Sequence, residues 1–179
     1  NDSAKYVAPA PGTVAAINRG ERRVFQSLVI DVEGHESKTF AAYKSEQLQE
    51  LDRQLVTDQL VESGQWVAFR TRPFSKVPSA GSVAASIFVT AMDTNPLAAD
   101  PTVIIGQREG DFANGLKVLS RLTDGPVNVC AAPDVSIPGE EVEGVREINF
   151  SGPHPAGLAG PHIHLVDPVS ATKSVWSIG

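Results

Sequence analysis

The 179-residue chain is poor in the residue types that staple small folds or cross membranes. It has a single cysteine, Cys130, so no internal disulfide can form, and a lone thiol fits a reducing compartment. Aromatic residues make up only 6%. Basic residues are outnumbered, 15 Lys and Arg against 21 Asp and Glu, which gives a formal net charge of -6. A nucleic-acid binder shows a basic patch or stripe, and this balance argues against one. No stretch approaches the roughly 20 apolar residues that span a bilayer. The longest apolar runs, such as Leu28 to Ile30 and Ile87 to Val89, are of strand length. Asn1 to Ala8 lack the apolar core of a secretory signal. Any membrane association is therefore expected to run through protein partners.

What is there is ordinary globular material, 41% hydrophobic and 20% charged, enough for one cored domain with a small appendage. The first part reads as β structure. Thr13 to Asn18 is a short strand, Gly20 supplies a turn by taking positive φ, and Phe25 to Val32 returns. An isolated two-stranded hairpin is marginal in water, so covering strands are expected upstream. From Lys44 the period changes. Ser45 to Leu51 reads as a helical turn. Asp52 caps a helix with inward Leu55, Val56 and Leu60, closed by Gly64. Asp100-Pro101 starts another helix, whose apolar positions Phe112, Leu116, Leu119 and Leu122 run to a closing Gly125. Ser86 to Met92, Val127 to Ala131 and Arg146 to Phe150 read as strands, and Val175 to Gly179 as a strand beginning, so the chain is expected to continue. The order β, α, α, β, β predicts an α/β sheet with helices packed on it.

Three sets of strings carry a resemblance. One is GTVAAINRGERR from Gly12 to Arg23 with QSLVIDVEG from Gln26 to Gly34. The next is RTRPFSKVP from Arg70 to Pro78 with FVTAMDTNPLAADP from Phe88 to Pro101. The last is GPHPAGLAGPHIH from Gly152 to His164 with DPVSATK from Asp167 to Lys173. Over nearly the whole chain they resemble the A-subunit family of bacterial sodium-translocating NADH:quinone oxidoreductases, as an internal segment of that longer protein. The family is similar in fold to the flavoprotein subunit of complex I and to the C subunit of the Rnf complex. The resemblance thus implies a Rossmann-like α/β domain over residues 41–179, truncated at its C-terminus. Ahead of it, over residues 1–40, it implies part of a biotinyl- or lipoyl-like β barrel-sandwich module. It also implies a peripheral subunit on the cytoplasmic side of the bacterial inner membrane. Its partners would be the other subunits of the complex, above all the membrane-embedded B subunit, and it would contact ubiquinone or an inhibitor.

The parent complex oxidises NADH, reduces ubiquinone and exports sodium ions. The resemblance places its FMN, FAD, riboflavin and iron–sulfur cluster on other subunits, and assigns this chain no catalytic, cofactor or metal residue. In the fold relatives a glycine-rich loop cradles FMN phosphate. The corresponding stretch here, Gly64 to Lys76, keeps no glycine after Gly64, and Trp66, Phe69 and Phe74 are expected to fill the space. Of the acidic segment only Asp93 remains, within Ala91 to Pro96. No FMN or NADH binding is expected, with a structural and assembly role in its place. The alternative is a flavin- and NADH-binding electron-input subunit of the complex I or Rnf type.

Arg70, Arg72, Phe74 and Lys76 have two readings. As a site they offer cationic donors and an aromatic face for a quinone ring, or a contact with another subunit. As plain structure they form a solvated loop whose arginines pair with carboxylates. His154, His162 and His164 lack the partners of a recognised metal set and read as loop histidines bonded to backbone, shaping a contact surface. Gly152, Gly157 and Gly160 match no phosphate motif and read as an irregular ordered turn. The Asn18 to Arg23 turn lacks the lysine a carrier domain modifies, which leaves Arg19, Arg22 and Arg23 as a solvated or subunit-facing cluster. Cys130 reads as a small buried strand residue.

Overall fold

The computed structural model describes residues 4–179. Residues 1–3, which open the stretch read as free of a secretory core and the expected first domain, lie outside the described residues. The chain forms two compact units, one of Tyr6–Ala41 and one of residues 42–179 with Ala4 and Lys5.

In the small unit β1 (Gly12–Arg19) pairs antiparallel with β2 (Phe25–Val32). Residues of both strands stay exposed, with Ile17, Phe25 and Val32 all open to solvent within the described residues. The turn differs from its expected form. Gly20 keeps negative φ, -89°, and the left-handed residues are Arg22 and Arg23 at 53° and 62°. A Cβ at Gly20 would meet only the flexible end of the exposed Gln26 side chain, 2.6 Å from its Nε2. Arg19 Nη1 ties the turn by donating to the Arg23 carbonyl at 3.2 Å.

The large unit is built on a five-stranded sheet. Its strands are β3 (Arg70–Arg72), β4 (Ile87–Thr90), β5 (Val127–Ala131), β6 (Val145–Asn149) and β7 (Val175–Ile178), in the spatial order β3-β7-β4-β5-β6. The last four are parallel, and β3 is an antiparallel edge. Side chains alternate across the sheet, as the strand period of two requires. Ile87, Val89, Val127, Val129 and Trp176 face one core, shared with α1 (Arg53–Glu62) and α3 (Glu109–Ser120). Phe88, Cys130 and Val175 face the other, under α4 (Ala159–Val166). The sheet is covered on both faces, which explains why its central strands read as unbroken apolar runs.

Asp52 caps α1 by accepting from the Gln54 and Leu55 amides at 2.8 and 3.4 Å, and Gly64 takes φ 77° just past the helix end. Asp52→Ala is expected to cost about 1 kcal/mol of stability in urea denaturation, and Asp52→Ser to restore most of it.

Several expectations need correction. Val56 is buried but Leu55 is exposed, because only one side of α1 meets the core. The helix begun at Asp100 is two helices. α2 (Pro101–Gln107) ends where Arg108 leaves helical geometry at φ -138° and ψ 39°, and α3 ends at Ser120, short of Gly125. Gly125 serves close packing instead, since a Cβ there would fall 1.9 Å from the Ala85 carbonyl oxygen. The expected turn after Gly152 is part helix, with Gly160, His162 and His164 all on α4. Pro161 fits that helix because it sits in the first turn, where an amide has no helical partner to lose.

Candidate functional site

After β4 the chain adds β5 and β6 on one side. It then returns through α4 to place β7 on the other side of β4. The strand order therefore reverses between β4 and β7, and open α/β sheets bind ligands outside the carboxyl ends of strands at such a point. A crevice of about 410 Å³ lies there. Thr90, Met92 and Asp93 line it from the end of β4, Ser177 and Ile178 from β7, Arg70 from β3, and Leu158 and Ala159 from the start of α4. Ile104 of α2 sits on its rim. Asp93 is occupied locally, accepting from the Asn95 amide and side chain, both at 2.8 Å. Gly157 closes the wall. Its amide donates to Thr94 Oγ1 at 2.9 Å, and a Cβ would lie 2.6 Å from the Thr94 nitrogen.

A second hollow, about 330 Å³, lies beside the turn after β3. Arg72, Pro73 and Phe74 form one wall, and Gly160, Ile163 and His164 of α4 the other, with Pro168 and Val169 completing it. The turn is closely tied. Thr71 N donates to Lys76 O at 2.7 Å, Ser75 N to Thr71 O at 2.8 Å, and Lys76 N to Thr71 Oγ1 at 3.2 Å. Phe74 and Ser75 both take positive φ, at 80° and 49°, which puts the Phe74 ring outside with 82% of its surface exposed. The expectation that Phe74 fills a nucleotide cavity is thus overturned, whereas Trp66 and Phe69 are buried as expected. Arg72 Nε is buried and has no partner among the described residues.

The four residues singled out in the sequence separate. Arg72 and Phe74 share the groove, Arg70 borders the crevice, and Lys76 lines neither. Only part of the stretch is a loop, because Arg70–Arg72 is a strand paired with β7 and the turn is confined to residues 73–76. Nor does Arg70 seek a carboxylate. Its Nη1 donates to the carbonyls of Val67 and Phe69 at 2.5 and 2.8 Å.

His162 is fully buried against Phe150, ring centres 4.2 Å apart, with Nε2 2.8 Å from the Ala156 carbonyl. Burial lowers its pKa, and the Ala156 bond opposes that shift. His154 and His164 lie elsewhere, and among the described residues no group of His, Cys, Asp and Glu is arranged for a metal. Cys130 is wholly buried and its thiol is pushed up to about 12, which suits packing and not redox chemistry. No helix among the described residues is long and apolar enough to cross a membrane.

The five-stranded sheet and both hollows fall within residues matched by a family profile described as the NqrA second alpha/beta domain, which spans 51–179. The chain belongs to the NqrA family. A second profile, the NqrA N-terminal barrel-sandwich hybrid domain, matches residues 1–33. The hairpin and the α/β sheet are thus parts of two NqrA domains, as the fold class expected from the resemblance has it. Relatives include the A subunit of the Na(+)-translocating NADH-quinone reductase of Saccharophagus degradans, 58% identical over 98% of this chain and 39% of the relative. Those of Glaesserella parasuis and Shewanella frigidimarina are 57% and 58% identical over 98% and 100% of this chain, and 40% of each relative. The chain therefore spans about two fifths of the length of these NqrA relatives.

Thr90, Ser177, Ile104 and Ile163 escaped the sequence reading as site residues. Thr90 and Ser177 carried one usable signal, a polar residue near the end of an apolar strand. Ile104 and Ile163 carried none, since an apolar residue on a helix reads as core.

Proposed function

We propose that this chain is part of the A subunit of a Na(+)-translocating NADH-quinone reductase, contributing structure and assembly, and that its Arg72–Phe74 groove contacts the quinone. The protein lies on the cytoplasmic side of the inner membrane and meets the membrane through its partners in the complex, the B subunit in particular. The names of relatives 57–58% identical support the placement in that complex. The quinone contact rests on one observation. Arg72, one wall of the groove, has its guanidinium Nε buried without a partner among the described residues, and the groove's rim is an exposed phenylalanine ring. A buried donor left unmatched costs about 1–3 kcal/mol, and a ligand carbonyl towards which the Arg72 side chain turned would relieve it. Ile163 and Val169 supply an apolar floor for a ring, and Phe74 an aromatic face.

The redox groups FMN, FAD, riboflavin and the iron–sulfur cluster belong, on this reading, to other subunits. The Gly64 to Lys76 stretch supports that. Its one glycine closes α1, and Trp66 and Phe69 hold the space beyond it as core.

Titration with a one-isoprene ubiquinone, followed by tryptophan fluorescence corrected for quinone absorbance, tests the contact. Saturable quenching is expected, weakened about tenfold in Arg72→Ala and in Phe74→Ala, a change of about 1.4 kcal/mol for either. Linear quenching, equal in all three proteins, would remove the quinone reading.

A further inference from the structure

Three of the 15 basic residues of this acidic chain, Arg19, Arg22 and Arg23, gather at the tip of the β1–β2 hairpin. All three are exposed, and none pairs with a carboxylate among the described residues. The acids of β2 lie out of their reach. Asp31 is in register with Thr13, near the far end of β1 and so about 20 Å from Arg19, and Glu33 lies beyond it. The hairpin is therefore polarised, basic at its tip and acidic at its base, with Glu21 the one acid among the arginines. The tip is also held in one shape. Gly20 N donates to Val24 O at 2.9 Å, Arg23 N to Gly20 O at 3.1 Å, and Arg19 Nη1 to Arg23 O at 3.2 Å. Arg22 and Arg23 take left-handed φ, 53° and 62°, which glycine or asparagine adopts at least cost. Beside them Val24 and Phe25 are each more than half exposed. Arginine and phenylalanine are residues in which protein interfaces are enriched, and a turn shaped in advance loses little freedom on docking.

Building on the assembly reading above, we propose that the hairpin tip docks on another subunit of the complex, at a carboxylate-bearing surface. The guanidinium forks of Arg19, Arg22 and Arg23 meet the carboxylates, and Val24 and Phe25 press on an apolar spot between them. An anionic bilayer is the weaker fit. Three arginines offset by Glu21 fall short of the roughly four to eight basic residues that hold a segment to anionic lipid. A fixed pattern of both signs matches a partner whose charges are also fixed. Glu21 then sets the register, because it repels a carboxylate placed opposite it.

The test takes the full A subunit and the complex assembled without it, and measures their affinity by surface plasmon resonance at about 50 mM and about 300 mM salt. The parent subunit is expected to bind, and to bind less tightly at the higher salt. Arg19→Gln, Arg22→Gln and Arg23→Gln together should weaken binding about tenfold at low salt and flatten the salt dependence. Arg19→Lys, Arg22→Lys and Arg23→Lys together should recover part of that loss, since the charge returns without the fork. An affinity and a salt dependence untouched by the three Gln substitutions would overturn the docking and leave the assembly reading standing. Absence of binding by the parent subunit would overturn that reading, and the docking with it. A melting temperature of the isolated subunit lowered by more than about 5 °C in the Gln variant would place the arginines in contacts within the subunit and overturn the docking. Binding to phosphatidylglycerol vesicles that falls about tenfold with the same substitutions would overturn it too, and assign the tip to lipid.

Discussion

Trp66→Ala is expected to destabilise the α/β unit by about 3–5 kcal/mol, a large share of the 5–15 kcal/mol that holds a typical domain. Trp66 is wholly buried at the centre of an aromatic cluster. Its ring stands edge-on to Trp176, centres 5.4 Å apart at 82°, and to Phe69 at 5.3 Å and 66°. Its indole N–H donates to the Pro78 carbonyl at 2.9 Å. Alanine would remove the buried ring, two aromatic contacts and the indole hydrogen bond together. Trp66→Phe separates these, keeping most of the packing while losing the indole N–H bond to the Pro78 carbonyl, and should cost about 1 kcal/mol. Trp176 comes from β7 and Trp66 from the turn after α1, so the cluster joins the sheet to its first helix. A double-mutant cycle on Trp66 and Trp176 should show coupling of about 0.5–1.5 kcal/mol. Urea denaturation followed by far-ultraviolet circular dichroism reads all of these. A loss below about 1 kcal/mol for Trp66→Ala would mean that the cluster is not the keystone of this unit.

The legible parts of the structure were those written in local chemistry. Val127 to Ala131 stands as read, because an apolar run covered on both sides needs no partner to be recognised. The Asp52 cap and the left-handed Gly64 follow from single residues and their neighbours. What escaped was set by distant contacts. β7 lies beside β4 although α2, α3, β5, β6 and α4 all come between them in the chain, and nothing near Val175 announces which strand it will join. The reversal that creates the crevice is a property of that pairing, so the crevice was illegible too. The sequence around α4 reads as a turn because Gly152, Pro153, Pro155, Gly157, Gly160 and Pro161 all signal breaks. The helix forms because Ile163 finds a buried seat against Phe88 and Cys130. The candidate site was half visible. Arg72 and Phe74 do share one groove, but the turn geometry that exposes one ring and buries one guanidinium nitrogen comes from bonds to Thr71 that no single residue announces.

Removing the carboxylate of Asp167 should cost about 2–3 kcal/mol and make the loss depend on pH. Asp167 caps the end of α4 and sits where the chain turns towards β7. Its Oδ2 accepts from the fully buried Ser86 hydroxyl at 2.6 Å, and its Oδ1 pairs with Lys173. The group therefore pins the start of β4 to the connection that delivers β7, the same two strands whose far ends frame the crevice. Burial raises its pKa, but the bonds from Lys173 and Ser86 outweigh burial and hold it below the usual carboxylate range. A carboxyl with a lower pKa folded than unfolded stabilises fully above the unfolded value, near 4. That contribution is lost as pH falls through the depressed folded value. The stability difference between the parent and Asp167→Asn is thus expected to be constant from pH 7 to about 5 and to shrink below about 4. Ser86→Ala should cost less, since the Lys173 pair survives it. If the difference grew on acidification instead, the Ser86–Asp167–Lys173 cluster would be a strain on the fold and not the clasp that sets β7 beside β4.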